Sequence, residues 1–227
     1  MPVVILDQKL RFPDPRHADA EGLVAVGGDL SVPRLLLAYR SGIFPWTASP
    51  VTWWSPDPRG IFELDRFHVS RSLARVIRQG RFRVTIDQAF RNVMEGCAAP
   101  APGRRSTWIT QEFLEAYTQM QVRGHAHSVE CWDEEQLAGG IYGVAIGGFF
   151  AGESMFHRVS DASKVALFHL NAHLRRQGFG LFDVQILTPI TAQLGGANIS
   201  RSEYLERLAS ATAKPCVFGG GAKTLEC

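Results

Sequence analysis

The stretch "HAHSVECWDEEQLAGGIYGVAIGGFFAGESMF", residues 125–156, decides the fold. It holds three apolar runs, "HAHSVECW", "QLAGGIYGVAIG" and "GFFAGESMF", and two turn signals, "DEE" and "GG". Strand-forming residues bounded by tight turn residues predict an antiparallel meander.

The flanks extend the pattern. "SDASKVALFHLNAHLRRQG" is amphipathic and ends on Gly178, so a helix follows the meander. "GLFDVQIL" reads as a further strand and "SRSEYLERLASAT" as a last helix. Upstream, "RFRVTID" alternates as a strand, "DQAFRNVMEGCA" is helical, and "TQEFLEAYTQMQVRG" forms a helix with Thr110 as cap. The order strand-strand-strand-helix-strand-helix is that of an acetyltransferase-like acyltransferase domain. The expected class is α/β (α+β), with a boundary near residue 63: a small N-terminal α/β domain over 1–62, then a mainly antiparallel sheet flanked by helices over 63–227. "GGGAKTLEC" is expected to be a loose tail.

In the N-terminal part, "GDLSVPRLLLAYRSG" predicts a short helix with Ser31 as N-cap, Pro33 in the first turn and Gly42 at the end. "GIFPWTASPVTWWSPDPRG", residues 42–60, carries Trp46, Trp53 and Trp54 among four prolines. Prolines at this density forbid a helix and interrupt a central strand, so the segment is expected to be mostly loop. A Trp-rich loop either plugs one end of a core or offers a flat platform on which a base can stack. Local sequence leaves both open.

At 227 residues with 45% hydrophobic and 20% charged residues, the chain has ordinary globular composition. No 18-residue apolar run exists and the N-terminus lacks a basic n-region, so neither a membrane span nor a secretory signal is expected. Four scattered cysteines without a C-x-x-C pair point to a reducing compartment. Net charge is only +2, but the placement of arginine is informative. Between Arg66 and Arg83 there are six arginines and no acid. Arg71, Arg75 and Arg78 fall on one helix face, with Arg81 and Arg83 following. Such a face is either solvated surface or a footprint for phosphates; like charges at i,i+4 repel, which favours the second.

Other chemistries are weakly supported. His169 and His173 are i,i+4, but the zincin glutamate is absent and no third ligand is evident; His125 and His127 alternate on one strand. All four are read as structural or surface, and no metal is expected. The junction "GESMFHRVSDASK" lacks the glycine run that would cradle a coenzyme A pyrophosphate. No G-x-S-x-G is present. What remains is polar: Glu153 and Ser154 at the end of the third meander strand, and Asp183 and Gln185, two apart and so on one face of an otherwise apolar strand. Such a pair is either a hydrogen-bonded structural device or a site.

Taken in order, "GLVAVGGDLSVPRLLLAYRSGIFPW", "WWSPDPRG", "TWIT", "GHAHSVECW", "GGIYGVAIGGFFAGESMF", "ASK" and "FDVQ" resemble the leucyl/phenylalanyl-tRNA–protein transferases over roughly residues 20–210. The resemblance implies transfer of leucine or phenylalanine, and also methionine, from aminoacyl-tRNA to proteins beginning with arginine or lysine, which marks them for degradation. It implies no cofactor, because tRNA is the acyl carrier. It assigns the 3′-terminal adenosine to Trp46 and Trp108, with Trp53 and Trp54 mainly packing the loop. An apolar pocket for the aminoacyl side chain would involve Ile141, Phe150, Leu170 and Leu174. Asp183 and Gln185 would orient the acceptor amine and help remove its proton, and Glu153 would help anchor the basic acceptor. Arg71, Arg75, Arg78, Arg81 and Arg83 would seat acceptor-stem phosphates. A cytoplasmic monomer is expected. An enzyme of the same fold adding amino acids to peptidoglycan precursors from tRNA, and a non-catalytic RNA-binding module, are the rival readings.

Overall fold

The computed structural model describes residues 3–100 and 107–219 and the backbone of 223–224. Its strands are β1 Val4–Leu6, β2 Leu23–Gly27, β3 Phe44–Ala48, β4 Val51–Trp54, β5 Arg59–Phe62, β6 Arg83–Ile86, β7 Ala126–Asp133, β8 Gln136–Ile146, β9 Phe149–His157, β10 Leu181–Gln185, β11 Gly196–Ile199 and β12 Lys223–Thr224. Its helices are α1 Val32–Arg40, α2 Arg71–Arg78, α3 Phe90–Ala98, α4 Gln111–Val122, α5 Ala162–Arg176, α6 Pro189–Gln193 and α7 Arg201–Thr212.

The meander forms as its sequence predicts: β7, β8 and β9 pair antiparallel in succession. α5 then carries the chain over to β10, which lies parallel to β9. The large sheet has the order β11-β5-β10-β9-β8-β7-β6-β12 and the small one β1-β2-β4-β3. The α+β class and the helix-flanked, mainly antiparallel sheet are as expected. β5, at the end of segment 1–62, pairs between β10 and β11 inside the large sheet.

Alternation along the central strands separates two cores. Tyr142, Val144 and Ile146 of β8, with Phe149 and Ala151 of β9, belong to a core shared with α1, α3, α4 and the small sheet. Ile141 and Ala145 of β8, with Phe150 of β9, belong to a second core under α2 and α5. Period two sends successive side chains to opposite faces, and both faces are covered, so the strands read as nearly continuous apolar runs. The glycines of β8 let the neighbours close in. A Cβ on Gly143 would sit 2.1 Å from the Ala151 carbonyl, where the β8–β9 register shifts.

Several expectations are corrected. The Trp-rich segment is a hairpin, β3–β4, not a loop. Pro45 is tolerated because β3 is the edge strand of the small sheet, where a missing N–H need not break a ladder. β1, β2, α6 and β11 carry no strong periodic signal and are visible only in the structure. In the expected loose tail, Lys223–Thr224 pairs with β6 as β12; residues 220–222 and 225–227 lie outside the described residues.

Candidate active site

A cleft of about 190 Å³ is lined by Phe44, Pro45, Trp46, Trp108, Glu153, Val184, Gln185, Ile186 and Thr188. The β3–β4 hairpin brings Trp46, the start of α4 brings Trp108, β9 brings Glu153 and the end of β10 brings Gln185. A second cavity of about 510 Å³ shares Trp46 and Trp108 and adds Thr47, Ala48, Ser49, Thr107, Thr110 and Glu112. The two indoles therefore form the wall between two recesses.

The three tryptophans of the hairpin differ in environment. Trp53 is fully buried, donates its Nε1–H to the Gly27 carbonyl at 2.8 Å, and meets Phe12 edge-on at 4.8 Å. Trp54 is half-buried and packs edge-on against Trp46 at 5.7 Å. Trp46 is 39% exposed. Trp108, half-buried, stands perpendicular to Phe113 at 5.0 Å. A large indole held by other rings yet open to solvent is a preformed face for a planar ligand, since little side-chain freedom remains to be lost.

Behind the cleft lies a buried polar network. Arg59 and Asp183, both essentially inaccessible, form a bidentate pair: Nε to Oδ1 at 2.9 Å and Nη2 to Oδ2 at 2.7 Å. The Tyr204 hydroxyl donates to Oδ2 at 2.9 Å, and the backbone N–H of Gln185 donates to Oδ1 at 2.9 Å. The guanidinium also donates to the Gly42 carbonyl at 3.2 Å and lies 4.3 Å from the Tyr204 ring centroid and 4.9 Å from that of Phe44. A fork–fork pair with every oxygen doubly engaged fixes geometry as well as charge.

This corrects the expectation for Asp183. The register shifts between Asp183 and Gln185, and Gln185 has φ +56°, so the alternation of a regular strand is broken there. Asp183 is enclosed and saturated and cannot touch a ligand in the cleft. Gln185 lines the cleft and donates its Nε2–H to Oε1 of Glu153 at 3.1 Å. Glu153 sits within β9, four residues short of its end, rather than at the terminus. Its Oε2 accepts from the Tyr117 hydroxyl at 3.4 Å, and Tyr117 in turn shares a hydrogen bond with the hydroxyl of Tyr39. Burial pushes the Glu153 carboxyl up to about 8, with the Asp183 charge adding to the rise; the tyrosine hydroxyls and Arg59 oppose it. Burial also holds the Tyr39 and Tyr117 hydroxyls well above their ordinary range, so both stay protonated donors.

The remaining predicted residues lie apart from the cleft. Ile141, Phe150, Leu170 and Leu174 are all buried in the second core, and none lines the cleft. The five arginines are exposed. Arg71, Arg75 and Arg78 belong to α2, capped by Ser70, whose side chain accepts from the Leu73 N–H at 3.2 Å. None of the three makes an ion pair among the described residues, whereas Arg81 pairs with Asp133 at 2.8 Å and Arg83 lies over the Trp132 ring at 5.2 Å. His127 meets Asp87 at 2.7 Å, and His173 hydrogen-bonds the Phe218 carbonyl at 2.6 Å. Among the described residues no three His, Cys, Asp or Glu converge as a metal set, and no helix is long and apolar enough to cross a membrane. Sequence reasoning missed Arg59, Tyr39, Tyr117 and Tyr204. Arg59 had a usable signal, an arginine opening the apolar strand "RGIF", where burial demands a counter-charge.

Known proteins similar to this chain define its family. The family described as leucyl/phenylalanyl-tRNA protein transferase matches residues 61–209, and its N-terminal domain matches residues 28–57. A leucyl/phenylalanyl-tRNA–protein transferase of Anaeromyxobacter sp. (strain Fw109-5) is 50% identical over 222 residues, 96% of this chain and 94% of the relative. One of Shewanella sp. (strain W3-18-1) is 49% identical over 201 residues, 87% of this chain and 85% of the relative. Among solved structures, that of L-PGS from Bacillus licheniformis aligns at 14% identity with a TM-score of 0.41, covering 74% of this chain and 54% of that one. The chain is an aminoacyl-tRNA-dependent transferase. It belongs to the leucyl/phenylalanyl-tRNA–protein transferase family.

Proposed function

We propose that this enzyme transfers leucine or phenylalanine, and also methionine, from aminoacyl-tRNA to proteins whose first residue is arginine or lysine, creating an N-terminal degradation signal in the cytoplasm. It acts as a monomer and uses no cofactor. The observation that carries the reading is the cleft itself: two indoles at its mouth, and Glu153 and Gln185 at its floor. The 3′-adenosine stacks on Trp46 and Trp108, an interaction contributing about 1–3 kcal/mol whatever the tRNA body. The apolar residues Ile141, Phe150, Leu170 and Leu174, which line the second core rather than the cleft, receive the aminoacyl side chain once that core opens to it. The unpaired Arg71–Arg75–Arg78 face takes acceptor-stem phosphates, with Arg81 and Arg83 contributing less because each already has a partner. Residues 1–62 supply Trp46, and residues 63–227 supply Trp108 and the transfer domain.

The chemistry is aminolysis of an ester. The activated donor needs its carbonyl held within reach of a deprotonated amine, so positioning supplies much of the acceleration. Gln185 and Glu153 meet the amine, while Asp183 holds the Gln185 backbone from behind.

Incubation with radiolabelled Leu-tRNA and a protein beginning with arginine tests the reading. Acid-insoluble, RNase-resistant label on that protein, absent when its first residue is changed to alanine, is the expected result. Label that partitions into lipid-linked precursors, or no transfer with intact tRNA binding, would replace the reading with one of the rivals.

A further inference from the structure

We propose that Glu153 takes the proton from the acceptor's α-ammonium group, and that Tyr117, backed by Tyr39, is the positioning residue that holds this carboxyl for the task. The inference rests on the transfer reading above and assigns its proton acceptor.

Asp183 has no free lone pair: Oδ1 is taken by Arg59 and the Gln185 N–H, Oδ2 by Arg59 and Tyr204. It is also inaccessible, so no amine can reach it. Gln185 is an amide, without useful basicity, and its Nε2 already donates to Glu153. Among the described residues that line the cleft, Glu153 is the one titratable group.

The surroundings of Glu153 suit a proton acceptor. It accepts from Gln185 at 3.1 Å and Tyr117 at 3.4 Å, and the Tyr39 hydroxyl also bears on it, which leaves part of the carboxylate's acceptor capacity for an incoming N–H. The groups facing it are Tyr39 from α1, Tyr117 from α4, Tyr142 from β8, Asp183 and Gln185 from β10 and Arg59 from β5. Arg59 is neutralised by Asp183, so among the described residues no uncompensated cation locks Glu153 in its ionised form. Its carboxyl, raised to about 8, is matched to an α-amine whose ordinary value is about 7.7–8.0, the condition under which proton transfer between them is nearly isoergic. The fully buried tyrosine pair donates toward Oε2 and cannot itself accept the proton, so its part is to orient.

The step balances. An N–H bond of the acceptor ammonium breaks and its proton moves to a Glu153 oxygen. The freed nitrogen pair forms the N–C bond to the ester carbonyl, and the C–O bond to the ribose breaks. The second nitrogen proton ends on the leaving ribose oxygen. Products are the amide, a free ribose hydroxyl and neutral Glu153, which returns its proton to water.

The experiment is the pH dependence of kcat at saturating Leu-tRNA and acceptor for wild type, Tyr117→Phe, Tyr39→Phe and Glu153→Gln, with aminoacyl-tRNA affinity measured in parallel by filter binding. Glu153→Gln should lower kcat by about a hundredfold or more at unchanged donor affinity. Tyr117→Phe removes a hydrogen bond that favours the ionised carboxylate, so the rising limb should move to higher pH and the rate should recover toward wild type on the alkaline plateau. Tyr39→Phe should move it the same way. A merely structural tyrosine would lower the folded fraction and leave the midpoint unmoved. A wild-type midpoint in Tyr117→Phe, or Glu153→Gln within tenfold of wild-type kcat, overturns the proposal. If Glu153→Gln does not fold, the Tyr117→Phe midpoint decides alone. Absence of transfer by wild type would instead overturn the transfer reading.

Discussion

The two ends of the polar network behind the cleft contain the same chemical group in opposite circumstances. At the β5–β10 end, Asp183 is enclosed with a guanidinium forked onto it and a tyrosine hydroxyl beside it. At the β9–α4 end, Glu153 is surrounded by neutral donors, Tyr39, Tyr117 and Gln185, and among the described residues no cation is in contact with it. Burial disfavours charge at both ends, but only the first end supplies the compensating charge. The first is therefore a fixed strut that can do no chemistry, and the second is a group whose protonation is poised for it. A buried carboxylate becomes structural or reactive according to what faces it, not according to how deeply it lies.

The largest expected effect comes from breaking the strut. Arg59→Met leaves Asp183 buried and unpaired and should destabilise the fold by about 3–5 kcal/mol, read by urea denaturation at neutral pH. A loss below about 1 kcal/mol would mean that water or a neighbour replaces the guanidinium and that the two ends are not so different.

Glu153 provides the next test. Its folded value of about 8 lies above the ordinary 4.5, so the folded state holds a proton that the unfolded state has released between those limits. That contribution is fully present below about pH 4.5 and is lost as pH rises through about 8. Wild-type stability should therefore fall over this window, and Glu153→Gln should flatten the fall by roughly 2 kcal/mol after allowing for the partial exposure of the side chain. Thermal unfolding of both proteins from pH 5 to 9 checks it; parallel curves would show that Glu153 is ionised throughout.

A smaller change is expected from Tyr204→Phe, which removes one of four donors to Asp183 and should cost about 1.5 kcal/mol in urea, less than Arg59→Met because the charge remains compensated. Smallest of all on folding is the arginine face. Changing Arg71, Arg75 and Arg78 together to alanine should move stability by no more than about 0.5 kcal/mol each way, because all three are exposed and unpaired. The same variant should flatten the salt dependence of tRNA binding by up to about three phosphates' worth of slope. An unchanged slope would remove α2 from the tRNA footprint.

The sequence by itself determined whatever depends on local period and local stops. The meander, α5, β10 and the arginine-bearing α2 are legible because each repeats its polarity every two or every 3.6 residues and ends at a glycine or capping residue. The residues at the cleft were legible in part: Glu153 and Gln185 stand out as polar groups in apolar strands, while Trp46 and Trp108 were singled out only by the family resemblance. The tertiary structure alone decided what depends on partners far away in the chain. Pro45 argues against a strand until β3 is seen to be an edge. Asp183 and Gln185 share a face in any regular strand, and only the irregularity between them sends one into the core and the other into the cleft. Arg59 meets Asp183 across 124 positions, and Tyr39 meets Tyr117 across 78. No local pattern encodes such pairings, because the energy that fixes them, a counter-charge or donor for a group cut off from water, exists only once the sheet and helices have closed around them.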